Sequence, residues 1–295
     1  MILRLRDVTL DVSSAAPLVM GVVNASPESF SDGDRAASVD RRLARAGEVL
    51  EEGADLVDVG GESGVTNRPP IDPAEEIRRI LPVVTELVAA GALVSVDTWK
   101  APVALAALEA GAHLVNDVSG LADPALAGHC ARFGAGLVVM HTRARPKVKE
   151  FPAYDDVVAD VDAFLRRRLT LAAAWGVAPE QVVLDPGPDF AKTPSETVRV
   201  LRHLGDLAAL GRPLLLAVSR KDFVGALTGR PPRDRLAGTL AAVGEGVDAG
   251  AGILRVHDVA AVRDFLAVRA ALRGAPVDPA LHLPEHLRRE PPAAS

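Results

Sequence analysis

A short apolar run of strand character followed by a helix-length amphipathic stretch recurs eight times along this chain, and that alternation limits its fold more than any other feature. The runs cover residues 18–23, 55–59, 93–96, 113–115, 136–140, 181–184, 213–218 and 252–256. Five of them open at the same joint, Gly53-Ala54, Gly91-Ala92, Gly111-Ala112, Gly134-Ala135 or Gly250-Ala251. A glycine just past a helix end is the usual left-handed cap. Parallel neighbours require a crossover helix, so the repeated unit predicts an α/β fold around a parallel sheet.

A doubly wound open sheet is the competing architecture, and it would bind its ligand at a single switch point. Here, every run ends in a polar or ionisable residue: Asn24, Asp58, Asp97, Asn116, His141, Asp185, Lys221, and Arg255 with His257. Closure into a (β/α)8 TIM barrel brings all these ends to one face, where the βα loops of barrel enzymes build their sites. The expectation is one barrel domain over residues 1–273, with helices near 38–52, 72–90, 100–110, 123–133, 155–175, 194–210, 233–249 and 258–272. Residues 274–295 carry five prolines without a clean period and read as a loosely held tail.

With 48% hydrophobic but only 3% aromatic residues, the core has to be built from Val, Leu and Ala. A net charge of -6 gives no basic field for a nucleic acid. No apolar run approaches the roughly 20 residues of a membrane span. A single cysteine, Cys130, excludes an intrachain disulfide, and the N-terminus has no signal-like core. The expected setting is cytoplasmic, with neither nucleic acid nor membrane as a partner. No Gly-x-Gly-x-x-Gly, Walker loop, Gly-x-Ser-x-Gly elbow or zinc-spaced Cys/His cluster is present.

Asp97, Asn116 and Asp185 end three strands whose preceding residues are barrel interior. Taken singly, each carboxylate could cap a helix or bind loop amides. Together they form an acceptor-rich pocket suited to a flat heterocycle with several N–H donors, since a buried carboxylate is costly unless something donates to it. Opposite in sign are Arg220, Lys221, Arg255 and His257, after strands seven and eight. Barrels commonly hold a phosphate there, and a guanidinium fork with a histidine suits a leaving diphosphate. Arg255 could instead be an interior ion pair with Asp258 or a neighbour. A Mg²⁺ ion held by substrate phosphates needs few protein ligands, and Asn24 is the candidate oxygen. Alone, an asparagine at a strand end is as readily a turn former.

The ordered segments Met20-Gly-Val-Val-Asn-Ala-Ser-Pro-Glu-Ser-Phe-Ser-Asp-Gly33, Gly53-Ala-Asp-Leu-Val-Asp-Val-Gly-Gly-Glu-Ser63, Ser95-Val-Asp-Thr98, Val115-Asn-Asp117, Leu184-Asp-Pro-Gly187 with Phe190 and Lys192, Val218-Ser-Arg-Lys221 and Leu254-Arg-Val-His-Asp258 resemble dihydropteroate synthase over residues 18–272. The resemblance implies condensation of p-aminobenzoate with a hydroxymethyl-dihydropterin diphosphate in folate biosynthesis, on a homodimer joined through late barrel helices. It assigns Asp97, Asn116, Asp185 and Lys221 to the pterin ring, with Arg255 on the ring face and Met140 and Phe190 lining the pocket. Asn24, Arg255 and His257 would hold the diphosphate and its Mg²⁺, and Asn24, Lys221, Arg255 and His257 form the implied catalytic set. Ser219, Asp222 and Arg68 complete the implied substrate contacts.

Two segments depart from the family pattern. The second loop reads Glu62-Ser-Gly-Val-Thr-Asn-Arg-Pro69 in place of Glu-Ser-Thr-Arg-Pro-Gly, displacing Thr66 and Arg68. Asp222 stands where the family has a serine facing the p-aminobenzoate carboxylate at a helix start. Two carboxylates in contact repel unless one is protonated or a cation intervenes, although Asp222 could equally serve as a helix cap. The alternatives are therefore a paralogue that binds a pterin diphosphate without efficient synthesis and a pterin-dependent methyltransferase, which has no use for an anion site.

Overall fold

Eight parallel strands close a barrel in the computed structural model, which describes residues 1–24, 35–62 and 69–289. In chain order the barrel elements are β3 (Leu18–Asn24), α1 (Arg35–Glu51), β4 (Leu56–Gly60), α2 (Pro73–Ala89), β5 (Val94–Asp97), α3 (Ala101–Glu109), β6 (Leu114–Asp117), α4 (Ala125–Phe133), β7 (Gly136–Met140), α5 (Val157–Ala174), β8 (Val182–Asp185), α6 (Pro194–Arg202), α7 (Leu204–Leu207), β9 (Leu215–Leu216), α8 (Asp222–Thr228), α9 (Leu236–Asp248), β10 (Ile253–Val256) and α10 (Val259–Leu272). The sheet runs β8-β7-β6-β5-β4-β3-β10-β9, and a parallel bridge from Leu184 to Leu214 closes the ring. The glycine joints behave as expected: Gly111 and Gly250 have φ of 101° and 103°, a conformation that costs a residue with a Cβ.

Three expectations need correction. Residues before 18, left without an element, form a hairpin of β1 (Ile2–Leu5) and β2 (Val8–Asp11). Its alternating Leu3 and Leu5 are fully buried and plug the lower mouth of the barrel against Met20, Leu56 and Leu114. The hairpin escaped because each strand has only four residues and Arg6, at φ 61°, makes its turn where Asn-Gly is the usual signal. The seventh barrel strand shrinks to Leu215–Leu216, because Pro213 has no N–H to give a ladder. The helix expected over 194–210 breaks at His203 into α6, α7 and a 3-10 turn, Ala208–Leu210.

Alternation along the strands divides the core. Outward Val57, Val94, Val115, Val182 and Leu254 meet the helices, while inward Leu56, Leu114, Val138, Val183 and Ile253 make an apolar floor with the hairpin. Beyond α10, residues 275–284 and 286–289 are exposed. Among the described residues no helix is long and apolar enough to cross a membrane.

Candidate active site

Because a strand repeats its facing every second residue, the side chains two positions above the floor form the next interior layer. Leu56 leads to Asp58, Leu114 to Asn116, Val138 to Met140, Val183 to Asp185 and Ile253 to Arg255. Strand register levels them: Asp58 lies beside Ser95, Asp97 beside Asn116, and Met140 beside Asp185. Of the strand-end residues expected to converge, Asp58, Asp97, Asn116, Asp185 and Arg255 therefore face the barrel interior above a dry base.

Asp58 organises this layer, although the sequence reading gave it no role beyond its place in the ring. Fully buried, it accepts hydrogen bonds from Ser95 Oγ at 2.5 Å, Asn116 Nδ2 at 3.1 Å and Arg255 Nε at 2.6 Å. Arg255 Nη2 donates to Asp97 at 2.8 Å. Arg255 is thus an interior ion pair, but with Asp58 and Asp97, whereas Asp258 pairs with Arg220 at 3.0 Å. Burial alone would lower the Arg255 pKa, but Asp58 and Asp97 outweigh it and raise it. Burial pushes the Asp97 carboxyl up to about 7, against the pull of Arg255. The signal that could have exposed Asp58 was its spacing from Leu56, the same as that of Arg255 from Ile253.

Across the barrel, Asp185 and Lys221 are supported by the loop after β8. Burial raises the Asp185 carboxyl, while the N–H of Gly187, donating at 2.7 Å, opposes the rise. Gly187 has φ 64°, and a Cβ there would lie 2.1 Å from the His141 carbonyl oxygen. Lys192, 1% exposed, donates from Nζ to the carbonyls of His141 at 3.4 Å, Gly187 at 2.9 Å and Phe190 at 3.2 Å, which fixes the loop. Burial holds its amine down to about 7, with Asp185 pulling it back up. Lys221 lies over the Phe190 ring, with Nζ 4.2 Å from the centroid, a cation–π pair. Burial lowers its pKa, and Asp189 and Asp185 oppose that.

His141 is at its strand end but turns into the wall, where Nε2 meets Asp160 at 2.9 Å and burial takes its pKa down to about 3. His257 faces a cavity of about 370 Å³, lined also by Val22, Val23, Asn24 and the arginines 41, 42, 45 and 220. Burial first, then Arg255 and Arg220, bring its pKa down to about 4, so the imidazole is neutral at pH 7. Ser219 Oγ accepts the His257 backbone N–H at 3.2 Å and lies 2.9 Å from Nδ1. With the serine hydroxyl donating to Nδ1, the remaining ring proton sits on Nε2.

Asp222 heads α8 with its side chain 74% exposed and pairs with Arg235 Nη1 at 3.0 Å. That same nitrogen donates to the carbonyls of Arg220 at 2.9 Å and Lys221 at 3.0 Å. Asp222 makes no side-chain cap, and a cation does intervene beside it. Arg68 and Thr66 lie outside the described residues.

The pterin binding enzyme family model matches residues 20–257. The dihydropteroate synthase of Mycobacterium leprae is 44% identical over 268 residues, covering 88% of this chain and 94% of that protein. A Mycobacterium tuberculosis protein named inactive dihydropteroate synthase 2 is 41% identical over 278 residues, covering 89% and 85%. The structure of Xanthomonas albilineans dihydropteroate synthase with 4-aminobenzoic acid superposes with a TM-score of 0.85 at 41% identity, covering 94% of this chain and all of that one. Fold, match and polar layer agree, and the chain belongs to the dihydropteroate synthase family of pterin-binding enzymes.

Proposed function

We propose that this protein is a dihydropteroate synthase, condensing p-aminobenzoate with 6-hydroxymethyl-7,8-dihydropterin diphosphate in folate biosynthesis. The observation that carries this reading is the bipolar pocket: the interior layer of Asp58, Asp97, Asn116, Asp185 and Arg255 beside the cation-lined cavity at His257. In the reaction the bond from the pterin methylene carbon to the diphosphate oxygen breaks, and the oxygen keeps the electron pair. The arylamine nitrogen then bonds to that carbon and loses a proton. No side-chain nucleophile is needed, because positioning and stabilisation of the departing charge account for catalysis.

Within this reading Asp97, Asn116 and Asp185 accept from the ring's N–H groups, and Met140 and Phe190 line the pocket with Lys221. Arg255, held by two carboxylates, offers its guanidinium plane to the ring and acts on the diphosphate through its field. Neutral His257 donates one hydrogen bond to the diphosphate, oriented by Ser219. Arg68 is carried as a substrate contact on the resemblance alone. Asn24, exposed at the end of β3, supplies an amide oxygen of the hard type Mg²⁺ prefers. Among the described residues no group of three or more His, Cys, Asp or Glu side chains is placed to hold a metal. The Asn24 amide would hold such an ion, which when bound would supply positive charge against the leaving diphosphate.

Homodimer formation is part of the proposal, supported by an apolar groove of about 560 Å³ where α9 and α10 meet, lined by Leu240, Phe265, Val268 and Leu272. So is a cytoplasmic setting, to which the buried thiol of Cys130 is suited. The decisive assay follows diphosphate release from the pterin diphosphate with Mg²⁺, with and without p-aminobenzoate. Release that requires the arylamine and matches dihydropteroate formed is the expected result. Tight binding without release would instead identify a non-synthesising paralogue, a reading kept open by Asp222 and by the 41% identity to the relative named inactive.

Arg235 changes what Asp222→Ser should do. Since the carboxylate is exposed and already paired, the gain in kcat/KM for p-aminobenzoate is expected to stay below tenfold, under about 1.4 kcal/mol. Arg235→Gln, which removes the compensating cation, is expected to lower the same parameter without changing that for an uncharged aniline. A gain well beyond tenfold in the serine variant would show that Arg235 does not screen the acceptor.

A further inference from the structure

Among the described arginines that line the cavity at His257, Arg42 is set apart by a buried Nε that nothing accepts from. Arg41, Arg42 and Arg45 on α1 line the 370 Å³ cavity with Asn24, Arg220 and His257. Arg45 is paired with Glu48 and Glu52, each at 3.0 Å, and donates Nη2 to the His257 carbonyl at 3.1 Å. Arg220 is paired with Asp258. Arg42 differs from both. It is 6% exposed, its Nη1 donates to the Arg79 carbonyl at 3.1 Å, and its Nε is buried with no hydrogen-bond partner. Among the described residues, no carboxylate bonds to it.

A guanidinium does not shed its proton to escape such a position, and a buried charge without a partner is costly. Burial, and the charges of Arg79 and Arg41, make the protonated form less favourable than usual, against a partial offset from Glu75. An anion in the cavity would relieve this. Arg255 cannot balance that anion alone, since Asp58 and Asp97 already take its Nε and Nη2.

We propose that Arg42, with Arg41 beside it, completes with Arg220 and His257 a retention site for the inorganic diphosphate released in the reaction, making that product a strong inhibitor. This rests on the synthase reading above. When the carbon–oxygen bond breaks, the ester oxygen becomes a charged terminal oxygen, so the product carries more negative charge than the same group did in the substrate. A site holding a guanidinium to which no described carboxylate is bonded therefore grips the product more tightly than the ester, and its field also favours the charge that develops as the bond opens. Synthesis then slows as diphosphate accumulates and recovers when a hydrolase of inorganic diphosphate removes it.

The test is calorimetric titration of the full chain with inorganic diphosphate and Mg²⁺, together with the inhibition constant of diphosphate in the synthase assay. Arg42→Met is expected to weaken diphosphate binding and raise its inhibition constant at least tenfold, while the diphosphate-free hydroxymethyl pterin binds as before. Arg42→Lys, which keeps the charge and loses the fork, should recover part of the loss. Arg41→Gln alters an exposed position and should weaken diphosphate several-fold even if Arg42→Met does not fold. Unchanged diphosphate affinity in the Arg42 and Arg41 variants overturns the proposal, as does an equal loss for diphosphate and bare pterin. A wild type that makes dihydropteroate while the variants leave inhibition unaltered refutes the retention site alone. Diphosphate binding that needs Arg42 in a chain without synthase activity upholds the site and refutes the synthase reading.

Discussion

Asp58→Ala is expected to lower folding stability by about 3–5 kcal/mol, the usual cost of removing one partner from a buried ion pair, and to abolish recognition of the pterin ring. Three donors, Ser95 Oγ, Asn116 Nδ2 and Arg255 Nε, converge on this carboxylate, and the truncation leaves all of them without it. Arg255 would then lean on Asp97 alone, and the plane it offers to the ring would shift. Equilibrium urea unfolding measures the first effect and calorimetry with 6-hydroxymethyl-dihydropterin the second. A stability loss below about 1 kcal/mol, less than a single buried group left unpaired usually costs, would mean that Asp97 suffices to hold Arg255 and that Asp58 is not the organising group.

Lys192→Met is the second large effect expected. The methionine fills similar space but donates nothing to the carbonyls of His141, Gly187 and Phe190. Each buried group left unpaired costs about 1–3 kcal/mol. The loop they fix carries Phe190 and follows directly on Asp185, so pterin affinity should fall at least tenfold along with stability. Fluorescence-detected binding at a temperature where the variant is still folded separates the two losses. Pterin affinity equal to wild type in the folded variant would make Lys192 a purely structural clasp.

The barrel could be read from the chain because each strand is an apolar run buried on both faces and each return is marked by glycine, signals that are local. The interior placement of candidate site residues could be read as well wherever a charged residue interrupts such a run, as at Asp97, Asp185 and Arg255. Asp58 interrupts a run in the same way, yet its importance depends on Ser95, Asn116 and Arg255 meeting it from three other strands, and pairings across a barrel leave no trace in spacing. Arg42 escaped for a related reason. On a helix whose apolar period is carried by Val39, Leu43 and Ala46 it reads as one more solvent-facing cation, and only tertiary packing, with its Nη1 on the Arg79 carbonyl of α2, buries it. Arg235 is invisible from Asp222 in the same sense, being thirteen residues away and brought back by the turn after α8.

The two-residue strand β9 gives the pocket an uneven stiffness. On the side of β3, β4 and β5 the ladders are continuous, from Met20–Leu56 up to Asn24–Gly60 and from Val57–Val94 up to Gly60–Asp97. On the opposite side, β8 and β9 meet through the single bridge from Leu184 to Leu214. Local opening is cheapest where backbone hydrogen bonds are fewest, so the wall carrying Asp185 and Lys221 yields before the wall carrying Asp58 and Asp97. A ring analogue with added bulk directed at the β8–β9 joint is expected to keep more of its affinity than one with the same bulk directed at β4 and β5, a difference that calorimetry would read. The geometry for selective inhibitors is thus asymmetric: recognition is rigid on one edge of the heterocycle and forgiving on the other.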